Sequence, residues 1–294
     1  MPRATDLTLD HHRVTLLRAL EVGALTEVFL AEDDARTTVV VKRLHRHLVH
    51  EPTAAAMFEH EARILGVLAH PGLPRLLAQG VDAGQPVFVE RFQPGVMLDG
   101  LIARGAGCDA AAAIVLGLLD GLGHAHAATA ADGAALAVVH RDVAPTSVLV
   151  APTGAVSLVD FGISTSRWRV DPSRGVMKGT RGYMAPEVIT GARDADARSD
   201  LFVVGVLLFE LATGARCYPG NALQAMHACV EGPPPAPASP LPDGLTAVLV
   251  RALARSPDAR FDTAADMAQA LRAAARDDGL DVTPERLRDA LSPP

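Results

Sequence analysis

The chain is poor in cysteine, with three in 294 residues: Cys108, Cys217 and Cys229. They are odd in number and far apart, so they form neither a disulfide framework nor a metal-ligand pair, and they fit a reducing compartment. No membrane-spanning segment is expected. The most apolar stretch, Leu201 to Leu211, falls short of the roughly 18 residues a span needs and contains Glu210. Residues 1–12 lack the apolar centre of a signal peptide. The expectation is a soluble, cytoplasmic protein with no membrane insertion. Positive charge is not in excess either. Lys plus Arg is 27 and Asp plus Glu is 34, for a net charge of −7, which disfavours non-specific nucleic-acid binding. No internal repeat is present.

What is there is ordinary globular composition, 49% hydrophobic and 21% charged, in a length that suits one large domain or two lobes. The first third reads as strand: Val14 to Leu20, Glu27 to Ala31 and Thr37 to Leu44 are short β-branched and leucine-rich runs, with Asp33-Asp34 as a turn between the last two. A helix is predicted from Thr53 to Leu68, followed by strands at 74–80 and 86–92 and a break at Gln93-Pro94-Gly95. The remainder is mainly helical, with helices predicted at 110–128, 184–190, 199–213, 221–230, 243–254 and 262–275. Short strands are predicted at Val138–His140, Val148–Val150 and Val156–Val159. Residues 232–242 are a Pro-rich surface loop, and Thr283-Pro284-Glu285 has the chemistry to start a terminal helix. Strands first and helices later point to an α+β protein of two lobes.

The chemistry sits in a short ordered set. A strand, Val39-Val40-Val41, ends in Lys42, and Glu61 lies 19 residues on, in the predicted helix. His140-Arg141-Asp142 follows one apolar strand and Asp160-Phe161-Gly162 another, the two aspartates 18 apart. Gly179-Thr180 and Ala185-Pro186-Glu187 come next. Each tripeptide alone is weak; the five in this order and spacing are specific. Together they resemble the protein kinase family, in particular the bacterial relatives of eukaryotic-type Ser/Thr kinases, from about Arg13 to Ala275.

The resemblance implies the two-lobed protein kinase fold, a small β-rich N-lobe at 13–92 and a larger helical C-lobe at 93–275, with ATP in the cleft. Residues 1–12 are then an N-terminal extension and 276–294 a tail. It implies transfer of the ATP γ-phosphoryl group to a protein hydroxyl with Mg²⁺ or Mn²⁺, a reaction that needs positioning and charge neutralisation more than covalent chemistry. On that reading Lys42 meets the α/β-phosphates and is held by Glu61. Asp142 takes the substrate hydroxyl proton, Arg141 grounds a phosphate on the activation segment, and Asp160 binds the metal. The adenine shell is Val28, Val40 and Leu149, with Val22 and Gly23 from the phosphate loop. Val89 is the gatekeeper, and Glu90 to Phe92 form the hinge. Asp200 braces the catalytic loop, Thr180 borders the substrate site, and Glu187 pairs with Arg260. Ser164, Thr165, Ser166 and Ser173 are candidate phosphosites.

Four positions depart from the family pattern. The three expected loop glycines are Glu21, Gly23 and Thr26, so one survives. Val40 replaces a smaller Ala, Ala144 stands where a Lys is usual, and Ser147 replaces the Asn that holds a second metal ion. Ser147 remains a candidate ligand through its hydroxyl. The departures leave a second reading open: a kinase-shaped binding or regulatory module that works with or without nucleotide. A third reading, phosphorylation of small molecules, is opposed by Thr180, Glu187 and Arg260, which the resemblance assigns to a protein-substrate platform. His45, His47 and His50 follow a strand with no partnering cysteine or paired carboxylate and read as exposed rather than as a metal site.

Overall fold

The computed structural model describes residues 6–9, 12–168, 179–233 and 235–291. It forms two compact units, residues 1–93 and 94–294.

The first unit is an antiparallel sheet of β1 (Asp6–Leu9), β2 (His12–Val22), β3 (Thr26–Asp33), β4 (Thr38–Leu44), β5 (Leu76–Asp82) and β6 (Gln85–Arg91), in the spatial order β1-β2-β3-β4-β6-β5. Side chains alternate between the two faces of a strand. Leu7, Leu9, Val14, Ala31, Val39, Val41, Ala78, Val87 and Val89 form one buried apolar cluster. The N-terminal residues are therefore not a mere extension, because β1 pairs with β2 and places Leu7 and Leu9 in that core. The opposite face carries Val28, Val40, Lys42, Phe88 and Glu90, which the register sets across from one another. Helix α1 (Pro52–Leu65) packs there, with the Phe58 and Phe88 rings 4.9 Å apart. Its Pro at the first turn suits a helix start, and its buried Met57, Glu61, Ile64 and Leu65 recur at helical spacing.

In the second unit, β7 (Val96–Met97), β8 (Val148–Val150) and β9 (Val156–Leu158) form a small sheet. Helices α2 (Leu98–Arg104), α3 (Gly107–His126), α4 (Pro186–Thr190), α5 (Ala197–Thr213), α6 (Ala222–Glu231), α7 (Asp243–Ala252) and α8 (Ala264–Asp277) surround it. The apolar run Leu201–Leu211 lies inside α5 and is buried on every side, as a helix apolar all round must be. A reciprocal cap between Asp196 and Ser199 starts that helix. Among the described residues, α3 alone has the length and apolarity to cross a membrane, and its apolar residues are buried where it packs on α5 and α8. Helix α9 (Pro284–Leu291) lies on α3, with Leu287 buried and Arg286 bonded to Asp109 at 3.0 Å. Val138–His140 is not a strand: it makes one isolated bridge, Val139 to Thr165, and its other bonds serve the site below. Burial of Cys217 and Cys229 keeps both as thiols, the latter's pKa pushed up to about 12.

Candidate active site

In the first unit Lys42 is buried and reaches Glu61 Oε1 at 2.6 Å, strand to helix. The register builds this pair: Lys42 is set opposite Val28 on one side and Phe88 on the other, on the face that α1 covers. Val28 and Val40 share that face.

Two expected residues do not. Val89 is set opposite Val41, and both belong to the cluster on the far face. Val22 is set opposite Glu27, whose carboxylate bonds Arg43, again on the far face, and it is 68% exposed. A shift of one residue moves a strand's side chain to the other face, so the position across from Val40 is held by Glu90, not by Val89. Glu90 Oε1 stands 3.9 Å from Lys42 Nζ, and the carboxylate is buried. Glu90 thus ends in the sheet beside Lys42 rather than in a hinge. The chain leaves the unit through half-buried Phe92 and Gln93, the latter bonded to Leu73 O.

The β2–β3 turn is closed on protein groups. Gly23 N donates to Thr26 O at 2.9 Å, and His45 Nε2 donates to Gly23 O at 2.9 Å. A Cβ on Gly23 would meet nothing nearer than 3.6 Å, so the turn does not require glycine. His45 therefore has a structural partner, and no group of ligands suited to a metal ion occurs among the described residues.

In the second unit a buried carboxylate shapes the loop at His140. Asp200, on α5, accepts His140 N and Arg141 N at 2.9 Å each and His126 Nε2 at 2.9 Å. These bonds hold Arg141 at φ +70, a conformation that costs a non-glycine residue about 1–2 kcal/mol. Burial pushes the Asp200 pKa up, but His126, His140 and the backbone donors outweigh it and hold the carboxylate below its ordinary range. Buried His140 donates Nε2–H to Val159 O at 3.2 Å and accepts Asp142 N–H on Nδ1 at 3.3 Å, so its neutral tautomer is fixed. Burial lowers its pKa accordingly. Its ring meets Phe161 edge-on at 4.6 Å.

Asp142 Oδ1 accepts both the N–H and the hydroxyl of Thr180, each at 2.7 Å. Gly179 permits this approach: its φ is +118, and a Cβ there would stand 2.8 Å from Arg141 O. Asp160, also in the left-handed region at φ +68, accepts Gly162 N–H on Oδ1 at 3.2 Å, which aims an exposed carboxylate. Leu149 lies in β8 between Met97 and Ser157.

Ser147 differs from the expectation. Its hydroxyl donates to Asp142 O at 2.8 Å, with Ala144 O at 3.1 Å, and accepts Ala144 N–H at 2.9 Å. The side chain is buried and engaged within the loop, so the structure uses it as a staple on the Asp142 backbone and not as an outward metal ligand. Sequence reasoning missed this role because it compared Ser147 with Asn as a ligand only. Glu187 and Arg260 form a bidentate buried pair with a shortest contact of 2.7 Å, and Ser199 donates to Glu187 Oε1. Of the candidate phosphosites, Ser164 and Ser166 are buried, Thr165 is half-buried in a bridge, and Ser173 lies outside the described residues.

A sequence-family model described as "Protein kinase domain" matches residues 15–270. The chain belongs to the protein kinase family. This kinase domain is 34% identical over 271 residues to the tyrosine-protein kinase MasK of Myxococcus xanthus strain DK1622, covering 87% of this chain and 42% of that protein. It is 31% identical to the serine/threonine-protein kinase Pkn1 of Myxococcus xanthus, covering 88% and 38%. It is also 31% identical to the serine/threonine-protein kinase PknB of Mycolicibacterium smegmatis strain ATCC 700084, covering 87% and 42%. The chain thus spans about two fifths of the length of these curated relatives. Kinase domains use ATP and a divalent cation. The exposed Asp160 carboxylate is the hard oxygen donor such a cation takes, so Asp160 fits that requirement and Ser147 does not.

Proposed function

We propose that this kinase domain transfers the γ-phosphoryl group of ATP to serine or threonine hydroxyls of a protein, in a reducing compartment such as the cytoplasm. The observation that carries the reading is the Lys42–Glu61 contact of 2.6 Å: a buried lysine fixed by a helix carboxylate is a point charge held ready for phosphate oxygens. In this scheme Asp160 would hold Mg²⁺ or Mn²⁺, which would supply charge neutralisation for the phosphates. Asp142 accepts the proton of the substrate hydroxyl while its oxygen bonds to the γ-phosphorus. The bond from that phosphorus to the bridging oxygen breaks, and ADP leaves. Asp142 is suited to this because Thr180 occupies Oδ1 and the Asp200 brace fixes the loop that carries it.

A binding module without turnover is the second reading, favoured by the engagement of Ser147 inside the loop. The test is intact-mass measurement of dephosphorylated protein given ATP with Mg²⁺ or Mn²⁺, beside Asp160→Ala. Stepwise phosphate gain in the wild type alone supports the kinase, and phosphopeptide mapping then separates serine and threonine from tyrosine. No gain in folded protein with either metal supports the binding module.

A further inference from the structure

Lys42 has a second carboxylate beside it. Glu90 lies on β6 opposite Val40, hence on the same face of the sheet as Lys42, and its Oε1 is 3.9 Å from Nζ. Glu61 is at 2.6 Å from the other side. All three residues are more than nine-tenths buried: Lys42 7%, Glu61 3% and Glu90 5% exposed. A carboxylate this close to a buried ammonium competes with an incoming phosphate for the same cation, and burial strengthens that competition because water screens little there.

We propose that Glu90 is a restraining residue of the nucleotide site: it holds Lys42 in competition with the nucleotide phosphates, and so sets a low affinity for ATP. The proposal rests on the ATP-dependent reading above and adds to it a side chain that acts through Lys42. Like charges brought together at a binding site oppose association, and removing one strengthens it. Glu90→Gln keeps the size and hydrogen-bonding capacity of the side chain and removes its charge. The Lys42–Glu61 contact, which positions the ammonium, stays.

The test uses a feature of the composition: Lys42 and Lys178 are the two lysines of the chain. Acylation by a lysine-directed activated ester, read by peptide mass, therefore reports on Lys42 with one internal comparison. Two measurements are made on wild type, Glu90→Gln and Glu90→Leu: calorimetric binding of Mg-ATP, and the rate of Lys42 acylation without nucleotide. The expected result is Mg-ATP binding about tenfold tighter in both variants, the equivalent of about 1.4 kcal/mol, with Lys42 acylated several-fold faster relative to Lys178. A carboxylate neighbour favours the unreactive ammonium and its loss favours the amine. A merely structural role for Glu90 moves neither ratio in this direction. Equal Mg-ATP affinity in wild type and variants, with binding present, overturns the restraint and leaves the ATP reading intact. Absence of binding in all three folded proteins overturns the ATP reading and the restraint with it. An unchanged Lys42 rate overturns the Lys42–Glu90 contact on which the restraint depends, whatever the nucleotide does.

Discussion

The backbone N–H and the side-chain hydroxyl of Thr180 converge on one oxygen of Asp142, each at 2.7 Å. The residues are 38 apart in sequence, and Gly179 makes the approach possible. Two donors on Oδ1 orient the carboxylate and leave Oδ2 with no hydrogen-bond partner among the described residues. On the proposed kinase reading, one oxygen fixes the direction of the carboxylate and the other would meet the substrate hydroxyl.

Thr180→Val should therefore lower turnover without unfolding the domain. One hydrogen bond to a charged group contributes about 1.5–3 kcal/mol, or roughly 10- to 150-fold if it is fully expressed in the rate. Thr180→Ser should retain most activity. Steady-state autophosphorylation rates for both variants, with thermal melting as a control, check this; equal loss in the two would show that the hydroxyl is not the cause.

Arg260 is among the largest fully buried side chains of the described residues, and its guanidinium meets both oxygens of Glu187 at 2.9 and 2.7 Å. Removing one member of a buried pair strands the other, at a cost of about 3–5 kcal/mol. Arg260→Met should cost that much in urea unfolding. Glu187→Gln together with Arg260→Met should cost less than the two single changes added, because neither charge is then stranded. Additive losses would show that the pair contributes only through packing, such as the Arg260 contact over Phe202 at 4.7 Å.

Stability should fall as the solution is acidified, in two windows. Burial sets the His140 pKa below its ordinary 6.5, so below that pH the unfolded chain binds a proton that the native state excludes. This contribution is complete above about 6.5 and is lost as pH falls through the folded value. Asp200, held below its ordinary value, behaves alike lower down: its contribution is complete above about 4 and is lost as pH falls through its depressed folded pKa. Urea midpoints at pH 7.5 and 5.5 should differ, and His140→Phe, which keeps a ring against Phe161, should flatten that difference. An unchanged slope in the variant would assign the upper window to other histidines.

The candidate site residues are legible in the sequence where order and spacing carry them. Short motifs single out Lys42, Glu61, Asp142, Asp160, Thr180, Asp200 and Glu187, the resemblance adds Arg260, and in the structure Lys42 contacts Glu61 and Glu187 contacts Arg260. What the sequence hid was strand face and local hydrogen bonding. The β6 run Gln85–Arg91 reads equally well with either set of alternate residues inward, because Val87, Phe88 and Val89 are all apolar. Only pairing with β4 decides that Val89 faces away from Lys42 and Glu90 faces toward it. The four-residue β1 offers two leucines in a polar stretch, too short for its period to register. Val138 and Val139 have strand composition, but Val139 makes a single bridge to Thr165 and the next N–H, that of His140, goes to Asp200, sixty residues away; propensity does not include such tertiary demands.

Ser147 offers the sharpest distinction between two roles for one hydroxyl. As a metal ligand, its loss would weaken the binding of the divalent cation. As a staple, its loss frees the Asp142 carbonyl and leaves the buried Ala144 N–H without its acceptor. An unsatisfied buried donor costs about 1–3 kcal/mol. Ser147→Ala should therefore lower turnover and unfold more easily by about that amount, while the Mg²⁺ concentration for half-maximal activity stays within about twofold of wild type. The measurement is initial rate against free Mg²⁺ at saturating ATP. A rise of tenfold or more in the half-maximal Mg²⁺ would return Ser147 to the metal, and would require its hydroxyl to leave the loop bonds it makes in this structure.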